Sequence, residues 1–158
     1  MKRYIFGALL VSLPALVSAQ AVPASVYLMK AGASDLFERQ SGMVMSTSRD
    51  PKVKSFANMM VRDHAQSTAE VKAAARTAHL AVKPPRLTAM QARNLSALRN
   101  ARGERRDRLY IEQQRAAHQD ALALQQGYST SGRVAPLRRV AGKIVPVVQH
   151  HIEMLSSM

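Results

Sequence analysis

Apolar side chains recur along this chain at helical spacing, and the pattern breaks at prolines. From Pro23 to about Ser48, one stripe is marked by Val26, Met29, Ala33, Leu36/Phe37 and Met43/Val44. That is the three-and-four spacing of an amphipathic helix. Asp50 then stands ready to cap a second helix, with Pro51 in its first turn. This helix carries Val53, Phe56/Ala57, Met60, His64, Ser67/Thr68, Val71 and Ala75 on one face. It stops before Pro84 and Pro85, which cannot continue a helix. Thr88 caps a shorter third helix through Leu95 and Leu98, which weakens at Gly103. A long fourth helix follows from about Glu104 to Gly127, with Leu109, Tyr110, Ile111, His118, Ala121 and Leu124. The stretch from Gly127 to Arg133 reads as a loop by composition. A last helix restarts at Pro136 and runs through Leu137, Val140, Ile144, Val148, His151 and Leu155. Pro146 should kink it or split it in two.

Four long helical segments and one short one, joined by short connections, predict an all-α protein. The expected architecture is an antiparallel four-helix bundle with an extra short helix. Good helix formers (Ala, Leu, Met, Gln, Arg) dominate, and β-branched runs are rare. No repeat at a fixed period is visible.

The first residues change the picture by adding a compartment. Lys2 and Arg3 precede an apolar run from Ile5 to Val17, and Val17-Ser18-Ala19 is a small-residue cleavage site. This is the layout of a secretory signal peptide, cut after Ala19. The expected organisation is therefore 1–19 signal peptide and 20–158 one helical domain, periplasmic or secreted. No second apolar run is long enough for a transmembrane helix. The chain has no cysteine. That excludes disulfides, thiolate metal ligands and a thiol nucleophile. No serine sits in a G-x-S-x-G or S-x-x-K motif, and the glycines form no phosphate-cradling loop.

Charge narrows the partners. Cleavage would lower the net charge only from +13 to +11, by removing Lys2 and Arg3. Such a balance favours polyanions: an anionic envelope surface or an acidic protein. Nucleic acid is disfavoured by export and by the scarcity of aromatic residues among the arginines. The densest charge run, residues 99–108, reads as a solvated helix junction.

Candidate chemistry rests on histidines. His64, His118 and His151 lie on or beside the apolar stripes of three different long helices. If the bundle packs as expected, all three point to one interior, where each imidazole needs a partner. One such partner is a transition metal (Zn, Cu or Fe), with Glu38 on the first helix completing the ligand set. Asp63 would orient a ligand histidine from behind. The plainer alternative is three hydrogen-bonded core histidines. The residues three before His64 and His118 are Val61 and Arg115. The paired Glu-x-x-His of a di-iron carboxylate site is therefore missing. His79 and His150 are expected at the surface. Met43, Met45, Met59 and Met60 read as packing residues.

These residues resemble a family. Phe56 to His64 is similar to the F-A-x-x-M-x-x-D-H motif of the DUF4142 family. Asp107-x-x-Tyr110-Ile111 followed by His118, Pro146-x-x-x-x-His151 and Glu38-x-x-x-Gly42 resemble three further motifs of that family, in the same order. Arg106 departs from the pattern, which usually has Phe there. The resemblance implies an exported, ferritin-like helical bundle and groups Glu38, His64, His118 and His151. It implies no biochemical activity. Two functions stay open: a non-enzymatic envelope or stress-related protein, and a metal-binding protein, or metal-dependent redox enzyme, built on an interior His/Glu cluster.

Overall fold

The computed structural model describes residues 22–158; the expected signal segment, 1–19, lies outside them. Five helices follow in order: α1 (Ala24–Met45), α2 (Pro51–Thr77), α3 (Ala89–Asn100), α4 (Gly103–Ser131) and α5 (Ala135–Ser156). No strand occurs among the described residues. The α2 start is the one expected: Asp50 accepts hydrogen bonds from the backbone N–H groups of Lys52 and Val53, with Pro51 behind it. Thr88 and Gln91 form a reciprocal capping box on α3.

Each long helix packs on two others, α1 on α2 and α4, and α5 on α2 and α4. Two contacts fix the directions. The Ser48 hydroxyl donates to Asp107 Oδ1 at 2.8 Å, joining the α1–α2 turn to the start of α4. Pro51 and Phe56 at the start of α2 share a groove with Met154 and Met158 at the end of α5. So α1 runs opposite to α2 and α4, and α5 runs opposite to α2 and α4. The segment holding α3 carries the chain back along the bundle so that α2 and α4 run parallel.

The interior has two apolar cores. The first gathers Tyr27, Ala31, Val71, Ala75, Tyr128, Leu137 and Ile144 at the end where α1 and α5 begin. The second gathers Met45, Phe56, Met60, Leu98, Tyr110 and Leu155 near the α1–α2 turn. Each fully buried aliphatic or aromatic side chain contributes about 1.5–3 kcal/mol. Gly42 lets α1 and α2 close up there, since a Cβ would sit 2.8 Å from the Ala57 carbonyl oxygen.

Several sequence expectations need correction. The inward stripe of α1 is turned: Met29 and Met43 are 63% and 53% exposed, whereas Asp35, Glu38 and Ser41 are buried. α1 also ends at Met45, short of Ser48. The stretch after Gly127 is not a loop, because α4 continues to Ser131. The hydroxyls of Ser129, Thr130 and Ser131 fold back onto the carbonyls of Gln126 and Gly127. Tyr128 meanwhile stacks on Tyr27 at a ring separation of 3.9 Å. Pro146 does not split α5. Pro146 and Gly142, whose carbonyl it cannot pair, both lie on the exposed face, which leaves that carbonyl open to solvent.

Candidate metal centre

Between the two apolar cores lies a polar layer to which all four long helices contribute. His64 (α2), His118 (α4) and His151 (α5) are 5%, 0% and 1% exposed. Their rings stand 5.3–5.7 Å apart, centre to centre. One ligand-capable nitrogen of each lies within 4.8 Å of the other two.

Each histidine is held from behind by a group that only accepts. The Nδ1–H of His118 donates to the Gln114 carbonyl at 2.9 Å. The Nε2–H of His151 donates to Asp63 Oδ2 at 3.1 Å. The Nδ1–H of His64 donates to Asp35 Oδ1 at 2.9 Å. These partners fix the tautomers of the neutral rings. Three lone pairs are then left facing inward. His118 Nε2 and His151 Nδ1 face each other at 3.3 Å, and His64 Nε2 has no partner. Lone pairs that meet without a hydrogen between them call for a cation.

A proton is a poor candidate for the His118–His151 pair. Burial, with the neighbouring imidazoles His64 and His151, pushes His118 down to about 3. Burial outweighs Asp63 and brings His151 down to about 4. His64 is different. Burial opposes its charge, but the Asp35 hydrogen bond and the charges of Glu38, Asp35 and Asp63 together raise it. A proton therefore competes with a metal for its lone pair more strongly than at the other two rings.

Glu38 lies beside the trio and outside its convergent nitrogens. Its Oε1 is 3.9 Å from His118 Nδ1. Both its oxygens are buried without a hydrogen-bond partner. Burial pushes its carboxyl up to about 7. Asp63 does orient a histidine, but across the bundle: its partner is His151, not its neighbour His64. The orienting group of His64 is Asp35, which the sequence reading missed. Its signal was a carboxylate one helical turn before Glu38, on the same face. The Thr68 hydroxyl, 2.9 Å from Asp35 Oδ2, steadies that carboxylate in turn. His79 and His150 are exposed, as expected. Met45 and Met60 pack in the second core.

This architecture defines a class: an all-α bundle whose two apolar cores are separated by a layer of histidines and carboxylates. The chain belongs to the DUF4142 family, a domain of unknown function whose model matches residues 13–158. No curated protein matches it. Two solved structures share the fold. One is a DUF305 fragment from Deinococcus radiodurans, with 16% identity, a TM-score of 0.73, and coverage of 87% of this chain and 95% of that one. The other is a candidate secreted DUF305 protein from Streptomyces coelicolor, with 13% identity, a TM-score of 0.69, and coverage of 85% and 89%. No helix among the described residues is long and apolar enough to cross a membrane.

Proposed function

We propose that this chain is an exported transition-metal-binding protein, with His64, His118 and His151 as its ligands. The carrying observation is the convergence of three inward lone pairs, each imidazole fixed from behind by an acceptor. Such outer partners are how ligating histidines are oriented and made more basic. Glu38 is the neighbouring carboxylate whose charge would balance a divalent ion. Its Oε1 stands 3.9 Å from the outward nitrogen of His118, so it neighbours the ligands as a charge. Nitrogen-rich ligation without thiolate suits zinc, copper or iron. When bound, the ion would supply Lewis acidity or, for copper or iron, a redox couple.

The chain's own residues do the remaining work. Asp35, Asp63 and the Gln114 carbonyl hold each ring's outer proton and keep the inner nitrogens basic. Phe56, with its ring about 6.3 Å from both His118 and His151, closes the layer on the second-core side. Enclosure of this kind fits a holding role better than turnover of a large substrate. The export part of the reading rests on the basic, apolar and small-residue order of residues 1–19.

The test is elemental analysis of untagged protein purified from the periplasm without chelator, beside His64→Ala. Near-stoichiometric metal that is lost in the variant is the expected result. Wild-type protein that carries no metal and takes up neither zinc, copper nor iron overturns the proposal. The three histidines would then be a hydrogen-bonded core layer in a non-enzymatic envelope protein.

A further inference from the structure

Charge is unevenly divided over the bundle. Residues 22–34, 71–88 and 121–148 surround the first apolar core. They carry nine Lys or Arg side chains and no Asp or Glu; the bordering acids are Asp35, which is buried, and Glu70 and Asp120 on the side of the histidine layer. Four of the nine come from the start of α5 and the turn before it: Arg133, Arg138, Arg139 and Lys143. Lys72 and Arg76 end α2, Lys83 and Arg86 lie in the connection after it, and Lys30 is on α1. All nine are exposed, and none is in an ion pair. The second core's half differs. Its cations share the surface with Asp50, Glu104, Asp107, Glu112 and Glu153, and Arg108 is paired with Glu104 at 3.3 Å.

Export alone requires no such segregation, and helix dipoles account for only part of it. Arg76 in the last turn of α2 suits that helix's dipole, but Arg138 and Arg139, the fourth and fifth residues of α5, gain nothing from theirs. We infer that this end of the bundle is a docking face for an anionic lipid surface. The charges come from four separate segments and form a broad face. Two grooves of the molecule lie elsewhere, one against Phe56 and Met158 and one between Arg115 and Ile152. Nine exposed cations spread over several segments suit a plane of headgroups better than one small anion. Met29, 63% exposed beside Lys30, adds an apolar side chain that can enter the headgroup layer. Tyr27 and Tyr128 are buried in the core and offer no platform for stacked bases. The inference does not depend on the metal reading. It takes from the export reading only which membrane the protein meets.

The experiment is vesicle co-sedimentation of the chain from residue 20 onward, which contains all five helices and both cores. Phosphatidylglycerol-rich vesicles, pure phosphatidylcholine vesicles and the soluble polyanion heparin are the three probes. Two charge-reversal triples are compared, each checked for helicity by circular dichroism. Arg133→Glu, Arg139→Glu and Lys143→Glu alter the proposed face; Arg138 is spared because it donates to the Gly132 carbonyl at 2.7 Å. Lys54→Glu, Arg99→Glu and Arg105→Glu make the same net change on the other half. Each cation at a charged membrane is worth roughly fivefold in affinity. The first triple should therefore weaken binding to the anionic vesicles by about 100-fold or more. The second should weaken it severalfold at most. Binding should fall away at about 0.5 M salt, where screening shortens the reach of exposed charges. Three results overturn the inference: no binding to the anionic vesicles at low salt, equal losses in the two triples, or binding to heparin alone. Metal content read on the same samples separates this outcome from failure of the metal proposal.

Discussion

Phe56 and His118 are both fully buried, their rings 6.3 Å apart, yet they obey opposite rules. Phe56 belongs to an apolar core whose one unpaired polar atom is the Tyr110 hydroxyl. His118 belongs to a layer holding unpaired Glu38 oxygens, an unpaired His64 nitrogen and an unpaired Gln114 oxygen. Each unpaired buried polar atom costs on the order of 1–3 kcal/mol. The cores supply the stability that lets the bundle carry such a layer. The two regions should therefore respond differently to truncation, to metal and to pH.

Truncation gives the largest contrast. Phe56→Ala should destabilise the protein by about 3–5 kcal/mol through lost burial and the cavity left behind. Metal should not change that difference. His118→Leu replaces a buried polar ring by an apolar side chain and should be near neutral in metal-free protein. Denaturant melts of both variants, with and without chelator, check this. A His118→Leu variant as unstable as Phe56→Ala without metal would mean the layer is structural.

Metal should stabilise through the layer alone. At a thousandfold excess over its dissociation constant, a ligand specific for the folded state adds about 4 kcal/mol. For a chain of this length that is on the order of 10 °C in Tm. Zinc added to metal-free protein should give a rise of this order in wild type and in Leu137→Ala, and none in His64→Ala or His151→Ala. A rise that survives in His151→Ala would place the metal elsewhere.

How much of this was visible beforehand follows from where polarity and burial agree. α2 was legible because Asp50, Pro51 and the apolar stripe all point to one helix with one inner face. His64, His118 and His151 were legible because each is the odd member of an otherwise apolar stripe. α1 was not, because Asp35, Glu38 and Ser41 occupy its inner face. A reading that sends polar residues outward turns that helix away and exposes the wrong side chains. Asp35 was lost for the same reason. Gln114 was invisible too, since it acts on His118 through its main-chain carbonyl, which any residue would supply.

The layer should also set the acid response of the metal-free protein, and here the signs oppose one another. His118 and His151 are pushed down to about 3 and about 4. Their contribution is present above the ordinary histidine value and is lost as pH falls. Glu38, raised to about 7, and the raised His64 act the other way, stabilising at low pH and losing that contribution as pH rises. Between about pH 4.5 and 6.5 an unfolded chain protonates all three imidazoles. The folded layer holds protons only on His64 and Glu38. Unfolding in that window takes up one net proton from this layer, so stability should fall by about 1.4 kcal/mol per pH unit on acidification. Glu38→Gln removes one opposing term and should steepen the fall. Urea midpoints across this range measure it, and a flat profile would show that the layer does not hold its imidazoles neutral.

The smallest effect concerns the two ends of α2, which belong to different halves of the bundle. Its start is capped by Asp50, and Asp50→Ala should cost about 1 kcal/mol. Its end closes less comfortably. The Leu80 N–H bonds back to the Ala75 carbonyl at 2.9 Å, which requires a left-handed residue between, and that residue is His79 at φ 55°. A β-carbon in this conformation costs about 1 kcal/mol relative to glycine. His79→Gly should therefore stabilise by somewhat less than that, because glycine also gains freedom in the unfolded chain. His79 is exposed and remote from the histidine layer, so metal content should be unchanged in the variant. A His79→Gly protein that melts lower than wild type would mean that the imidazole makes a compensating contact at the cationic end.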